Sequence, residues 1–346
     1  MIAFDRKLDI GRGRVDLSHG AGGRASTQLV SDLFYPAFAN DLLAAGNDQA
    51  VFAVPPCRLA MSTDGYVVSP LFFPGGDIGA LAVNGTINDL AMGGARPLHL
   101  SASFILEEGF PLADLRRIAQ SMGAAAQAAG VAIVTGDTKV VERGKADGVF
   151  ITTTGVGAIA PGVDLSGDRA RPGDCVILSG GIGAHGVAVM MARQDLGFNA
   201  QISSDCAALH ELVAVMISCA GSSIRLMRDP TRGGLAATLN EIAQQSRVGF
   251  RISEAEIPVE PAVAAVCELL GLDPLNVANE GKLVAVVDAA AAPALLDAMR
   301  AHPLGRHAAA IGTVIADRHR YVEMETKFGG RRVVDWLSGE QLPRIC

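Results

Sequence analysis

The polar, turn-rich stretch PGVDLSGDRARPGD (161–174) interrupts a sequence that otherwise alternates strand-period and helix-period segments. Strands that alternate with helices must form a sheet with helices packed on it. Two such series, one on each side of the interruption, predict an α/β (α+β) chain of two domains. Their expected spans are 1–165 and 166–334, followed by a tail, 335–346. A length of 346 residues suits two domains better than one.

In the first series, strands are expected at 51–54 and 58–62 around the Pro55-Pro56 turn. A helix is expected to start at Asp77 and to stop at Gly93-Gly94, with Pro97 beyond it. LHLSASFIL reads as a strand, and 111–129 as a helix opened by Pro111. VAIVTGDTKVV reads as a strand broken by a Gly-Asp turn, and VFITTTGVGAI as a β-branched strand. In the second series the expected strands are CVILS, KLVAVV and AAIGTVI. The expected helices are AHGVAVMMARQ, one near 207–219, GLAATLNEIAQQS and APALLDAMRAH. HRYVEMET and RRVVDWL are expected to form a hairpin around Gly329-Gly330, and the tail SGEQLPRIC has no periodicity.

Composition narrows the function. Aromatics are only 5% of a chain that is 49% hydrophobic, so its cores must come from Ala, Val, Leu and Ile. The net charge is −7 and no block of Lys/Arg appears, which argues against nucleic-acid binding. The apolar run AVVDAAAAPALLDAM is broken by Asp288 and Asp297, so no membrane span is expected. MIAFDRKLD is unlike a signal peptide, and a cytoplasmic protein is expected. No two of the six cysteines are spaced C-x-x-C, which disfavours a zinc ribbon or thioredoxin motif. Cys175 and Cys219 are expected to be small buried hydrophobes. Cys346 is different: a chain end frays, which suits a travelling thiol better than a structural one. A prenylated Cys would stand four places from the end.

GIGAHG (181–186) matches G-x-G-x-x-G, but no apolar strand ending in an acid follows about 20 residues on. It reads as a tight strand-to-helix turn. More informative are acids beside glycine or asparagine: Asp48 in GNDQAVF, Asp64 in STDGY, Asp89 in INDLAMGGARP and Asp137 in VTGDTKV. Singly, each suits a turn or a cap. Together they suggest a hard-cation site, since Mg²⁺ takes carboxylate oxygens and bridges phosphates. An acidic protein that binds ATP needs metal ions, backbone N–H groups and a few cations. Lys139 is either one of those cations or an ordinary exposed lysine. SHGAGGR (18–24), with Gly22 and Gly23, is a disordered leader or a lid over phosphates. RDPTRGGLAATLNEIA sets Asp229 and Arg232 just ahead of a helix N-terminus, an anion site, unless Asp229 only caps it. Glu280, in NEGK, is a turn residue or an acid/base.

TDG, NDLAMGGARP, VTGDTK, DPTRGGL and NEG fall in the order found in the aminoimidazole ribonucleotide synthetase-like (PurM-like) superfamily. Within it, SHGAGGR and PRIC make the chain similar to the hydrogenase maturation factors of the HypE family, over nearly its whole length. Selenophosphate synthetases, by contrast, carry a reactive Cys or selenocysteine near the N-terminus, and the first Cys here is Cys57.

The resemblance implies a two-domain PurM-like fold whose N-terminal domain pairs with a second copy in a β-barrel, hence a homodimer, with a flexible C-terminal tail. It implies that a carbamoyltransferase, HypF, loads a carboxamide on Cys346, and that ATP drives its dehydration to a thiocyanate. The cyanide then passes to an iron-carrying HypC–HypD complex for [NiFe]-hydrogenase. The implied roles are Mg²⁺–ATP binding by Asp64, Asp89 and Asp137, with Asp48 and Asp229, and a Glu280 base. Gly22, Gly23, Asn88, Lys139 and Arg232 are the implied nucleotide contacts, with Lys139 on the transferring phosphate. The nine residues from Ser338 to Cys346 reach about 30 Å when extended. Gly339 is the expected pivot, Pro343 stiffens the tip, Trp336 anchors the root, and Arg344 modestly lowers the thiol pKa from about 8.5. Two other readings stand beside this one: an ATP-dependent synthetase or kinase acting on a free metabolite, and a passive thiol carrier.

Overall fold

The structure is a computed structural model and describes residues 7–21, 23–45, 49–54, 56–194, 201–336 and 344–346. The N-terminal segment holds helices α1 (Gly23–Leu29), α2 (Tyr35–Phe38) and α3 (Asp41–Ala44). It is followed by β1 (Arg58–Tyr66), the short pair β2 (Phe72–Phe73) and β3 (Gly76–Asp77), and α4 (Ile78–Met92). Then come β4 (Ala95–Glu107), α5 (Leu112–Ala128), β5 (Ala132–Val141) and β6 (Val149–Ile159).

Local signals act as expected here. The Asp77 carboxylate accepts the N–H groups of Gly79 at 2.8 Å and Ala80 at 3.0 Å, so it caps α4. Gly94, at φ +73°, follows the end of that helix. Pro111 opens α5.

The first sheet has the order β1-β6-β4-β5. Its alternating residues Leu100, Ala102, Phe104 and Leu106 join the core under α4 and α5. Among the described residues no helix packs across the other face, and Leu59 (50%), Met61 (73%) and Ile105 (42%) stand exposed there. Two expectations fail in this half. Residues 51–54 are irregular rather than a strand. VTGDTKVV has no Gly-Asp turn: β5 runs straight through it, parallel to β4, with Gly136 opposite Ala102 and Asp137 opposite Ser103. A Cβ on Gly136 would lie 2.2 Å from the Ala102 carbonyl, so this glycine serves a close strand approach.

The second half runs β7 (Cys175–Leu178), α6 (Ala184–Gln194), α7 (His210–Ala220), β8 (Ile224–Arg228), α8 (Gly234–Ser246) and β9 (Gly249–Ser253). It continues with α9 (Pro261–Leu270), β10 (Val284–Val287), α10 (Ala292–Arg300), β11 (Ala309–Ile315), β12 (Val322–Glu325) and β13 (Arg331–Val334). β8, β9 and α9 were not anticipated. The sheet order is β13-β12-β9-β11-β7-β10-β8, and β12 and β13 form the expected antiparallel hairpin.

Helices cover both faces of this sheet. Val176, Leu178, Val284 and Val286 pack under α8, while Ile177, Ala285 and Val287 pack under α7 and α10. This is why VAVV reads as a continuous apolar run rather than an alternating one. The segment 161–174 lies between the two sheets in sequence. Cys175 and Cys219 differ from expectation: the first is half-buried and the second exposed, since Cys219 ends one face of α7.

Candidate functional site

α4 packs against the first sheet on one side and against α7 and β8 on the other, which brings the two halves together. A cavity of about 740 Å³ opens at this junction. Asp64 reaches it from β1, Asp89 from α4, Asp229 from the loop after β8, and Glu280 from the loop before β10. Arg232, Trp336 and Cys346 also line it, beside the N-terminus of α8. Six of the residues singled out from sequence therefore share one site: Asp64, Asp89, Asp229, Arg232, Glu280 and Cys346.

These acids are crowded. Burial raises the Asp89 pKa, the hydrogen bond from Ser62 Oγ at 2.6 Å opposes this, and the charge of Asp64 adds to the rise. Asp229 is pushed up to about 7, by burial first and by Asp89 second. It does not cap α8, whose N-cap is Gly233 in the left-handed region.

Glu280 is 3% exposed and its pKa is raised well above the carboxylate range, by burial and then by Asp229, Asp205, Asp64 and Asp89. Its Oε1 is buried and finds no hydrogen-bond partner among the described residues. The backbone around it is held firmly. Asp205 accepts the Glu280 N–H at 3.0 Å and pairs with Lys282 at 3.2 Å. A Cβ on Gly281 would lie 1.8 Å from the Asp205 carbonyl, so this loop and the 201–209 segment touch backbone to backbone.

The chain end is seated in the cavity. The Val67 N–H donates to the Cys346 carbonyl at 3.2 Å and the Ser69 N–H to the Arg344 carbonyl at 3.1 Å, while Ile345 is 3% exposed. The Cys346 thiol is pushed up to about 12, by burial first and by Glu280 next; Arg232 opposes this through its charge and a hydrogen bond to the thiol. Arg344 does not have the expected influence on the thiol, because its guanidinium turns away to Asp147 and the Val67 carbonyl. Trp336 lines the cavity at 44% exposure; Gly339 and Pro343 lie outside the described residues.

Asp137 and Lys139 are elsewhere. They line a second cavity of about 240 Å³ with His19, Gly20, Phe34, Phe38 and Phe104. Lys139 Nζ lies 2.6 Å from Asp137 Oδ2, and this hydrogen bond holds the Asp137 carboxyl below its usual range. The start of the SHGAGGR stretch lies against β5: a Cβ on Gly20 would lie 2.3 Å from the Val140 nitrogen. Gly23 begins α1 at φ +76°. Gly22 and Asp48 lie outside the described residues. Asn88 lines neither cavity. Its amide donates to the carbonyls of Ala207 and Glu280 at 3.0 and 3.2 Å, and its Oδ1 accepts the Leu209 N–H at 2.7 Å.

Among the described residues, no three His, Cys, Asp or Glu side chains converge closely enough to hold a metal ion unaided. The mutually raised acids nevertheless suit a hard cation that takes one or two carboxylates and completes its shell with phosphate oxygens. Sequence reading missed Tyr66, which lines the cavity with its hydroxyl 3.3 Å from Thr86 Oγ1. It also missed Asp205, for which ISSDC carries no signal. Among the described residues, no helix is long and apolar enough to cross a membrane.

Comparison with known proteins agrees with this two-part α/β fold. The models for AIR synthase related proteins match over residues 46–159, for the N-terminal domain, and 171–325, for the C-terminal domain. A carbamoyl dehydratase HypE of Rhizobium leguminosarum bv. viciae is 69% identical over 344 residues, 99% of this chain and 98% of the relative. A crystal structure of hydrogenase maturation protein HypE in complex with ATP superposes with a TM-score of 0.92 at 51% identity, covering 95% of this chain and 99% of that one. A chain of a HypE–HypF complex superposes with a TM-score of 0.79 at 46% identity, covering 89% and 99%.

Proposed function

The chain belongs to the HypE family of hydrogenase maturation proteins, and from that premise we propose that it dehydrates a carboxamide carried on its own Cys346, using ATP. The observation that carries this reading is the thiol itself, which lines the same cavity as Asp64, Asp89, Asp229, Arg232 and Glu280.

The proposed substrate is Cys346–S–C(=O)NH₂, loaded by a carbamoyltransferase of the HypF kind. Its oxygen is a poor leaving group. Attack of that oxygen on the γ-phosphorus of ATP releases ADP and one nitrogen proton, giving Cys346–S–C(=NH)–OPO₃²⁻. The C–O bond then breaks, the second nitrogen proton leaves, and Cys346–S–C≡N and hydrogen phosphate are formed. Glu280 is the proposed base: once deprotonated, a carboxylate of such high proton affinity pulls strongly on the nitrogen protons. Arg232, which bonds the thiol, is the cation at the reacting sulfur.

Asp64, Asp89 and Asp229, with Asp137 and Asp48 as further candidates, would hold Mg²⁺, which supplies charge neutralisation for the triphosphate. Lys139, Gly22, Gly23 and Arg232 remain the proposed nucleotide contacts. Asn88 is withdrawn from that role, because its polar atoms already bond within the chain. The uncovered apolar face of the first sheet supports pairing with a second copy. Cyanide would pass to an iron-carrying HypC–HypD complex, in the cytoplasm. A two-domain division at 1–165, 166–334 and 335–346 accompanies this reading.

The test is the mass of the C-terminal peptide after carbamoylation and addition of Mg–ATP. ATP-dependent loss of one water from the Cys346 adduct is expected. ATP turnover with the adduct unchanged would instead favour a kinase of a free metabolite, and no turnover at all a passive carrier.

A further inference from the structure

His185, the second residue of α6, is completely buried, and both of its ring nitrogens have partners. Nδ1 lies 2.8 Å from Ser204 Oγ, and Nε2 lies 2.8 Å from the Ile345 carbonyl oxygen. A carbonyl only accepts, so Nε2 carries the proton and donates to Ile345. Nδ1 then accepts from the Ser204 hydroxyl, whose oxygen accepts the Cys206 N–H at 3.1 Å. The relay is satisfied in one tautomer only. The Phe73 ring meets the imidazole edge-on at 5.4 Å and helps fix its plane.

Further along the same helix, Arg193 donates to the Ser69 carbonyl through Nε at 2.9 Å and Nη2 at 2.7 Å. Nη2 also donates to the Arg344 carbonyl at 2.9 Å. One helix of the second half thus grips two consecutive carbonyls of the chain end, which also accepts the backbone N–H groups of Val67 and Ser69 of the first half.

We propose that His185, assisted by Arg193, is a latch that holds the chain end in the cavity. On this proposal it is a positioning residue that governs how often Cys346 is released to meet a partner. Its biological meaning rests on the carrier reading of Cys346; the docking it describes does not. Because the seated chain end bonds to both halves, its release also removes ties between them.

The test is alkylation of the full-length protein by iodoacetamide, read at each cysteine by peptide mass. Exposed Cys219 and buried Cys267 serve as internal references. His185→Ala and Arg193→Met are each expected to raise the Cys346 rate about tenfold, the factor carried by one lost hydrogen bond. The Cys267 rate stays unchanged. His185→Gln, which keeps a donor near the Nε2 position, returns the rate toward that of the wild type. The latch is overturned by any of three results: wild-type Cys346 rates in both variants, a rise matched at Cys267, or a Gln variant as fast as Ala. Absence of water loss from the carbamoylated wild type would sink the dehydratase reading and leave these labelling outcomes standing.

Discussion

The Val67 N–H donates to the carbonyl of Cys346 at 3.2 Å, so the last residue is held like a strand residue rather than frayed. A thiol held there is shielded and keeps its proton, with its pKa at about 12. Alkylation of Cys346 should therefore be slower than that of exposed Cys219 at pH 8, and should still be climbing at pH 10. Rates read peptide by peptide across pH check this; a plateau for Cys346 near pH 9 would show that the thiol is not docked in solution.

Glu280→Gln keeps the volume of a buried group whose carboxyl pKa is raised by burial and by the acids around it. The fold should survive with little change in Tm, while dehydration of the Cys346 adduct falls about 10²–10⁴-fold. Because the carboxylate form is the base, the wild-type rate should rise with pH through the raised Glu280 pKa, and the Gln variant should lose that limb. A pH–rate profile with an identical limb in both proteins would remove Glu280 from the role.

Asp229→Asn should stabilise the free protein while impairing Mg–ATP turnover. The folded pKa of about 7 lies above the ordinary 3.8, so the folded state holds the proton more tightly. Its stabilising contribution is full below pH 4 and is lost as pH rises to 7. At pH 8 the Asn variant should be more stable, by about 4 kcal/mol at most, a gain that disappears near pH 4. Thermal melts at the two pH values decide it: equal differences at both would mean Asp229 carries no raised pKa.

Met61→Glu sets a charge on the uncovered face of the first sheet, where Met61 is 73% exposed. If that face pairs two copies, the variant should elute as a monomer, with melting little affected at dilutions where the wild type is also monomeric. Light scattering that finds the same mass for both proteins would mean the face is not the pairing surface.

Asp137→Ala should abolish ATP hydrolysis, whereas Cys346→Ala should bind ATP normally. Titration calorimetry and a phosphate-release assay separate the two. Full hydrolysis by Asp137→Ala would confine the second cavity, where Asp137 meets Lys139, to a structural role.

Much of the architecture was legible in local patterns. The Asp77 cap, the Pro111 start, the Gly94 stop and the β12–β13 hairpin each depend on a few neighbouring residues, and period and turn chemistry reveal such features. Motif order also pointed to the family. The Gly-Asp pair at 136–137 misled, because a glycine required by a neighbouring strand looks the same in sequence as one required by a turn. Which acids work together was a matter for tertiary structure. Asp64, Asp89, Asp229 and Glu280 come from four separate elements yet share a cavity, while Asp137, grouped with them by motif, faces another. The protonation of Cys346 and the grip of His185 on Ile345 follow the same logic. Desolvation and long-range hydrogen bonds depend on what the whole chain brings to one point, and no local run of residues records that sum.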